Sequence, residues 1–522
     1  MKQLFTTLSF TLFFQFLFAQ YNPDWVVPSA DYQKTGVMMA VDSDNNVVLV
    51  GDRPSFAGAA NIYTRKLDEQ GNLLWEQVDT SGIHSVYEKA AWVNIDSLNN
   101  IYVCGYRYAG TSTNYADNII ALKYDAQGNL LWRKLFPDAF FGGLPMRSEL
   151  DASGNFYIGT MNSSPPGFNL IKLDAGGNVL FNVSDSSTSN VSFSSMRIKD
   201  DKVVLSGYAS LGSIACVVEF DTAGNFLWGN NYSTWGAIDL EIDSVYNIYF
   251  ISRKENQVAG NTAYDVKLFK LNPNGTVAAE YNYDFGNSTD FVGRMTLVNG
   301  RISMTGWTIQ SGSPYMNWLT LQTDLNGNEL WHAVYNETIY NDEQPYWISA
   351  KANGEVFVSG KGGPDTVSVT GSVYLRYVTL KYNNGQIQWV DADPYQGYTG
   401  IVNCIVPDGS LYVLGQYAMT AIHYIDSSST TGFFEVQNEK NIFIYPNPNS
   451  GSAILRINSP ELQNANVSVF DNQGRIAFRK DKIQLHTGIN DVPLNFSKLP
   501  AGFYFGMLST ENIFREFKIV VE

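Results

Sequence analysis

Apolar residues in this chain fall into short, nearly continuous runs, each opened by a polar turn. VVLVG follows Asp42-Ser43-Asp44-Asn45-Asn46, IYVCGY follows Asp96-Ser97-Leu98-Asn99-Asn100, and FYIG follows Asp151-Ala152-Ser153-Gly154-Asn155. Eight copies of this turn and run stand at 42–52, 96–106, 151–160, 199–208, 243–252, 298–307, 352–361 and 407–416. Runs that are apolar at nearly every position, rather than at every second one, read as strands covered on both faces.

A second turn alternates with the first. Asp68, Gly71 and Trp75 return as Asp125, Gly128 and Trp132, as Asp221, Gly224 and Trp228, and as Asp324, Gly327 and Trp331. Asp174-Gly177-Phe181 and Asn272-Gly275-Ala279 are eroded copies, and Asn383-Asn384-Gly385 with Trp389 is one turn residue shorter. Asp or Asn at the first position with Gly three later suits a type I turn, the carboxylate or amide accepting from nearby backbone N–H groups. The Trp, on the outgoing strand, is expected to bury its ring between neighbouring sheets and to satisfy its N–H locally.

The two turns together define a four-stranded unit, read in the second copy as 91–95, 101–106, 118–124 and 130–136. Such units at a period of about 50 residues predict an all-β chain folded as an eight-bladed β-propeller, with seven blades as the alternative. The last unit has strands at 401–406, 410–416 and 419–425 but no Trp turn. Pro23-Asp24-Trp25-Val26-Val27 is an orphan strand before the first unit. It is expected to close the last blade, because an open ring exposes a sheet edge. The alternative leaves Trp25 on a loose arm and completes the blade with 432–436.

Composition narrows the setting. The 522 residues carry 34 − 50 = −16 net charge with a pI of about 4.7, which disfavours nucleic acid and anionic membrane surfaces as partners. Met1-Lys2 and the apolar stretch 4–18 read as a signal peptide spanning 1–19, too short to span a bilayer. No later segment reads as a transmembrane span. Composition shifts at VQNEKN, dividing a repeat domain at 20–437 from a C-terminal domain at 438–522. In the latter, 442–457, 467–480, 499–509 and 517–521 read as strands of a small β-sandwich.

Candidate chemistry is sparse. His84, His332, His423 and His486 share no ligand spacing, and Cys104, Cys216 and Cys404 fall in different repeats and read as small buried apolar residues. No metal, cofactor or catalytic residue is expected. The turn aspartates read as caps, and Asp42-x-Asp44-x-Asn46 lacks the Gly and distal Glu of a calcium loop. No arginine cluster and no vicinal Cys pair of the kind found in sialidases and quinoprotein dehydrogenases is evident. Aromatic residues concentrate instead in the loops between strands two and three and between units: Tyr106, Tyr108, Phe140-Phe141, Trp235, Trp307, Tyr340, Tyr346-Trp347, Tyr395 and Tyr398. Stacked rings there make a candidate face for a glycan or protein ligand.

Two stretches resemble known families. MAVDSDNNVVLVGD followed by NIYTRKLDEQGNLLW is similar to the SBBP-type bacterial β-propeller repeat, over about 36–437. That resemblance implies a fold and little else. The C-terminal stretch resembles the type A sorting domain of the type IX secretion system of Bacteroidota. It carries Tyr445-Pro446-Asn447-Pro448, a turn ending Gly474-Arg475, Leu499-Pro500-Ala501-Gly502-Phe503-Tyr504 and Lys518, but ends Val521-Glu522 without a Lys-rich tail. The implied partner is the type IX machinery. The implied route runs through the periplasm to the cell surface or medium. The expectation is a non-enzymatic secreted or surface binding protein. The alternative is a propeller enzyme acting on polysaccharide, or a quinone-dependent dehydrogenase.

Overall fold

The computed structural model describes residues 23–29, 34–54, 60–79, 86–109, 118–136, 146–163, 166–185, 188, 191–209, 213–258, 261–286, 289–309, 315–336, 343–367, 373–391, 400–416, 419–425, 442–445, 451–459, 462–470, 475–510 and 514–521. The chain separates into two compact units, residues 1–430 and 431–522. Among the described residues every regular element is a β-strand, and no helix is long and apolar enough to cross a membrane.

The first unit is built from antiparallel four-stranded sets. Thr35–Val41, Val47–Pro54, Ala60–Leu67 and Leu73–Asp79 form one, and the pattern repeats in chain order to Gln386–Asp391. A single parallel bridge, Ala60 to Tyr87, also joins the first two sets. Burial grades outward within a set. The second strand is fully covered at Val47, Val48, Leu49 and Val50, as the continuous apolar runs predict. The fourth is open: Leu73, Leu74, Leu130 and Leu131 are each about half exposed.

The first strands pack side by side. Thr35–Val41 lies against Val86–Ile95, and then follow Arg147–Leu150, Ser192–Lys199, Trp235–Ile242, Thr289–Val298, Gln344–Ala350 and Gly400–Ile405. The last of these packs back on Thr35–Val41, so the eight first strands stand in a circle. No hydrogen-bonded sheet closes on itself.

The second turn explains how sets join. Gly71 N–H donates to the Asp68 carbonyl (3.0 Å), Asp68 N–H to the Asn72 carbonyl (2.9 Å), and Gly71 has φ 81°. This is a type I turn followed by a left-handed glycine. The Asp68 carboxylate accepts from the N–H groups of Gln70 and Asn72 and from the Asn72 amide, and Asp125 and Asp221 do the same in their sets. The glycine has a second reason to lack a side chain. A Cβ on Gly128 would lie 2.6 Å from the Trp75 ring, and one on Gly177 2.8 Å from Trp132. The same contact recurs with Phe181 on Gly224, Trp228 on Gly275, Tyr281 on Gly327 and Trp331 on Gly385, whereas Trp389 meets Tyr424 of the last set, which lacks this turn.

At Trp75 and Trp132 the ring N–H is therefore not satisfied locally, whereas Trp331 Nε1 donates to Gln322 Oε1 within its own set (3.0 Å). Trp75 Nε1 donates to the Ala126 carbonyl (3.0 Å) and Trp132 Nε1 to that of Ala175 (3.2 Å), each in the following set. A ring laid flat on that turn points its N–H edge at the turn's carbonyl. Lys66 and Lys123 donate to the same two oxygens, giving each junction a second link.

Ring closure follows the same rule. Pro23–Val27 pairs antiparallel with Ala421–Tyr424 and is the outer strand of the set that begins at Gly400. Trp25 lies on Gly71 and donates through Nε1 to the Glu69 carbonyl (2.8 Å). The orphan strand thus supplies the missing fourth strand and the missing ring; residues 432–436 lie outside the described residues. His423, opposite Trp25 in register, is buried between the rings of Trp25 (5.4 Å) and Tyr412 (4.5 Å). Burial pushes its imidazole below the ordinary value, against the pull of the Asp24 carboxylate.

In the second unit, Ile442–Tyr445, Ser452–Ser459 and Gly488–Asn495 form one antiparallel sheet. Ile476–Leu485, Gln463–Phe470, Gly502–Ser509 and Phe514–Val521 form the other. They share one core, with Leu455, Val492 and Leu494 from the first sheet meeting Val467, Val469, Leu508 and Ile519 from the second. Tyr504 is buried in this core and donates its hydroxyl to the Pro500 carbonyl (2.8 Å).

Two outcomes are expected. Trp331 is buried whereas Trp132 is only half-buried. Trp331→Ala should therefore cost about 3–5 kcal/mol in chemical denaturation and Trp132→Ala about half of that. Equal costs would contradict the graded burial. His423 resists protonation when folded, so below its unfolded value of 6.5 the unfolded chain binds the extra proton and stability falls with pH. Between about pH 7 and 5 the melting temperature should drop further for the native chain than for His423→Gln; parallel curves would remove His423 from closure.

Candidate functional site

The circle of first strands presents one position per set to its axis. In nearly every set the first strand carries a β-bulge, for instance between Gly36 and Met38, Ala90 and Trp92, Val292 and Arg294, and Pro345 and Trp347. A bulge re-aims the next side chain. The residues at this register are Met38, Trp92, Arg147, Ser195, Asp239, Arg294, Trp347 and Val402. Each stands four residues before the turn that ends its strand.

These side chains contact one another around the axis. The Arg147 guanidinium lies over Trp92 (4.6 Å) and that of Arg294 over Trp347 (5.2 Å), and the two Trp rings meet at 5.9 Å. Arg147 Nη1 donates to Asp239 Oδ1 (2.8 Å) and to the Ser195 hydroxyl. Ser195 in turn donates to Asp239 Oδ1 (2.7 Å), and Met295 N–H donates to Oδ2 (3.2 Å). The result is a belt of two arginines, one aspartate and two tryptophans across the channel.

Two residues further along each strand lies a second ring: Ala40, Asn94, Glu149, Arg197, Glu241, Thr296, Ser349 and Cys404, every one of them half-buried. Arg197 makes a two-pronged pair with Glu241 (3.1 and 2.7 Å) and reaches Glu149 at 3.4 Å. Between the rings the intervening residues, such as Met39, Leu240 and Asn403, turn into the core. A cavity of about 310 Å³ is lined by members of both rings and runs on to Ala350 and Ile405. No lining residue precedes the belt in its strand, so the cavity lies on the side of the first turns.

Burial sets the electrostatics. It opposes the Asp239 carboxylate, but Arg147, Arg197 and Arg294 outweigh it and hold the group well below the usual range. Burial, with Arg197 nearby, pulls Arg147 down to about 10. Burial raises Glu149 despite Arg197. Arg147 Nε is buried with no hydrogen-bond partner. Arg294 carries no hydrogen bond and no ion pair among the described residues.

The sequence-read aromatic face is only partly visible. Tyr340, Tyr395 and Tyr398 lie outside the described residues, as does the Tyr108 side chain, and Tyr106 is half-buried. Trp347 sits on a first strand in the belt, not in a loop, because the bulge turns it inward. Trp235 and Trp307 do belong to one cluster. Trp235 meets Tyr264 (5.6 Å), Trp307 meets Phe291 (5.3 Å), and the Arg253 guanidinium lies over both Tyr264 (5.7 Å) and Phe291 (4.6 Å).

The expectation of no arginine cluster is overturned: Arg147, Arg197 and Arg294 converge from three sets. They are 197 − 147 = 50 and 294 − 197 = 97 residues apart, and only the common offset from the first turn would have exposed them. Asp42 is a cap, as expected. Its Oδ1 accepts from the N–H groups of Asp44 and Asn46, and its Oδ2 pairs with buried Lys66 at 2.7 Å. Cys104 and Cys216 are buried, but Cys404 lines the cavity; burial raises its thiol to about 11. Of the sorting-domain residues, Gly502 and Tyr504 lie on one strand, Lys518 pairs with Phe505 in the last, and Pro446, Asn447, Pro448 and Gly474 lie outside the described residues.

Residues 443–522 match the secretion system C-terminal sorting domain. This tail implies export by the type IX secretion system, to the outer surface or the medium. No curated protein matches the sequence. Among solved structures, the Dos1 propeller aligns with 13% identity over 77% of this chain and 95% of its own, at a TM-score of 0.47. The WD40 β-propeller domain of Doa1 aligns with 12% identity over 80% and 100%, at 0.40. PorZ of Porphyromonas gingivalis, described as an essential bacterial surface component of the type IX secretion system, aligns with 10% identity over 97% and 93%, at 0.30. The chain is all-β with propeller neighbours.

Asp239 is 1% exposed and holds Arg147. Asp239→Asn leaves a buried arginine uncompensated and should cost about 3–5 kcal/mol at neutral pH. Asp481→Asn, which breaks an exposed pair with Arg479, should cost less than about 1 kcal/mol. The Asp239 carboxylate stabilises the fold above its unfolded value of 3.8, and that contribution is lost as pH falls below it. Denaturation curves of both variants check the contrast.

Proposed function

We propose that this chain is an eight-bladed β-propeller, residues 20–437, carried out of the cell by a C-terminal β-sandwich, residues 438–522. It works at the cell surface or in the medium as a non-enzymatic binding or scaffold protein. The match of residues 443–522 to the sorting domain carries the export half of this reading. The eight four-stranded sets, the circle of first strands and the Trp25 strand support the blade count.

The binding half rests on the aromatic end. Trp235, Tyr264, Arg253, Phe291 and Trp307 form a half-open cluster where two sets meet, and rings of this kind stack on sugars and peptide side chains. The channel carboxylates favour binding over acid–base chemistry. Asp239 and Glu241 are held by arginine, and Glu149 accepts from Ile198 N–H at 2.7 Å. None is free to take a proton from a substrate, as glycoside hydrolysis requires of a carboxyl pair.

The test has two arms. Truncation after Gln437 should leave the propeller folded and trapped in the periplasm of its host; normal appearance at the surface or in the medium would end the sorting assignment. In a glycan and protein binding screen on the full chain, Trp307→Ala should weaken the best hit at least about tenfold, in line with the loss of one stacking anchor. An unchanged hit would move the ligand face elsewhere.

A further inference from the structure

We propose that the channel cavity behind the belt holds a small monocarboxylate, gripped by Arg294 and Arg147 and laid against Trp347. This site is separate from the aromatic end, on the opposite side of the belt, and does not depend on that reading.

Charge distribution is the first argument. Six ionisable side chains meet at the two rings: Arg147, Arg197 and Arg294 against Glu149, Asp239 and Glu241. They sum to zero, but unevenly. Arg197 holds two carboxylates, Arg147 holds Asp239, and Arg294 holds none. Arg294 lines the cavity with its fork of donors unengaged among the described residues. Arg147 lines the same cavity and is 6% exposed, so its guanidinium adds positive charge to that wall. A planar carboxylate presents two oxygens to such donors, a geometry that guanidinium matches bidentately. A dianion is disfavoured, because Asp239 and Glu241 line the same space.

Shape is the second argument. Trp347, Met38, Met295, Val402 and Cys404 make the remaining walls apolar or weakly polar. The Trp347 ring is already braced by Arg294 on one side and Trp92 on the other. A CH-rich body attached to the carboxylate would pack there. At about 310 Å³ the space is at the small end of ligand pockets, so it suits one sugar acid or one amino-acid unit rather than a chain. The overall charge of −16 gives no long-range attraction for such an anion. Recognition is local, and partial burial protects it from salt.

The carboxylate could come from a sugar acid or from an amino acid, and the test separates them. The full chain is titrated with sodium glucuronate, with N-acetylglycine, with glucose as the uncharged counterpart and with sulfate as the dianion, following tryptophan fluorescence and melting temperature. One or both carboxylates should bind at millimolar concentration or better, and the tighter of the two names the source. Glucose and sulfate should bind at least about tenfold more weakly. Arg294→Gln should cut carboxylate affinity at least about tenfold, the scale of one lost charge-assisted contact. Arg294→Lys, which keeps the charge but loses the fork, should fall between and serves if the Gln variant does not fold. Trp307→Ala should leave carboxylate binding unchanged, so a failed aromatic face and a failed channel site give different results. Absence of binding by either carboxylate at about 10 mM, equal binding of glucose, tighter binding of sulfate, or an unaltered Arg294→Gln overturns the inference.

Discussion

The contact of a fourth-strand ring with the turn glycine of the next set holds the first unit together. A four-stranded set has two apolar faces and cannot cover either alone. Trp75 on Gly128, Trp132 on Gly177 and Trp331 on Gly385 each commit one set to its neighbour. The glycine is constrained twice, by a left-handed φ and by the ring above it. An alanine at Gly128 would be strained in its own turn and would lift the Trp75 ring from its seat. Because the contact is handed on from set to set, the last set needs a ring too, and the chain supplies Trp25 from its N-terminal side.

That closed sequence of contacts has an electrostatic consequence. Eight first strands drawn into a circle bring polar residues from distant parts of the chain within hydrogen-bond distance, buried or half-buried around the axis. Asp239 and Arg147 are 92 residues apart and bond at 2.8 Å. In such surroundings a charge without a partner is expensive, and a charge pair is worth more than on the surface. The belt therefore does two jobs at once. It fills an axis that has no apolar core of its own, and of the three arginines that line the cavity it leaves Arg294 without a hydrogen bond or ion pair among the described residues.

The second unit is held by different means. Its two sheets meet across Leu455, Val467, Val492 and Leu508, an ordinary apolar core with no repeating ring contact. Buried Tyr504 ties the LPAGFY segment to its own backbone through Pro500. A core of this kind needs nothing from the repeats, which fits a tail recognised by an export machine independently of its cargo.

Local rules account for what the sequence alone determined. Asp-x-x-Gly turns, continuous apolar runs and the period of about 50 residues depend on neighbours in the chain, so strands such as Asn118–Tyr124 and Leu130–Phe136 were legible to the residue. The orphan strand at Trp25 was legible as well, because a repeat that lacks one element implies where a spare one goes. Only the tertiary structure decided where the Trp75 and Trp132 N–H groups find their acceptors, since each ring reaches a carbonyl 51 or 43 residues away. It also decided that Trp347 faces the axis, because a bulge after Pro345 reverses the alternation that sequence patterning assumes. Arg147, Arg197 and Arg294 look like solvated charges when read in their own strands. They become a cluster only when the ring closes, because closure brings together residues that no local rule relates.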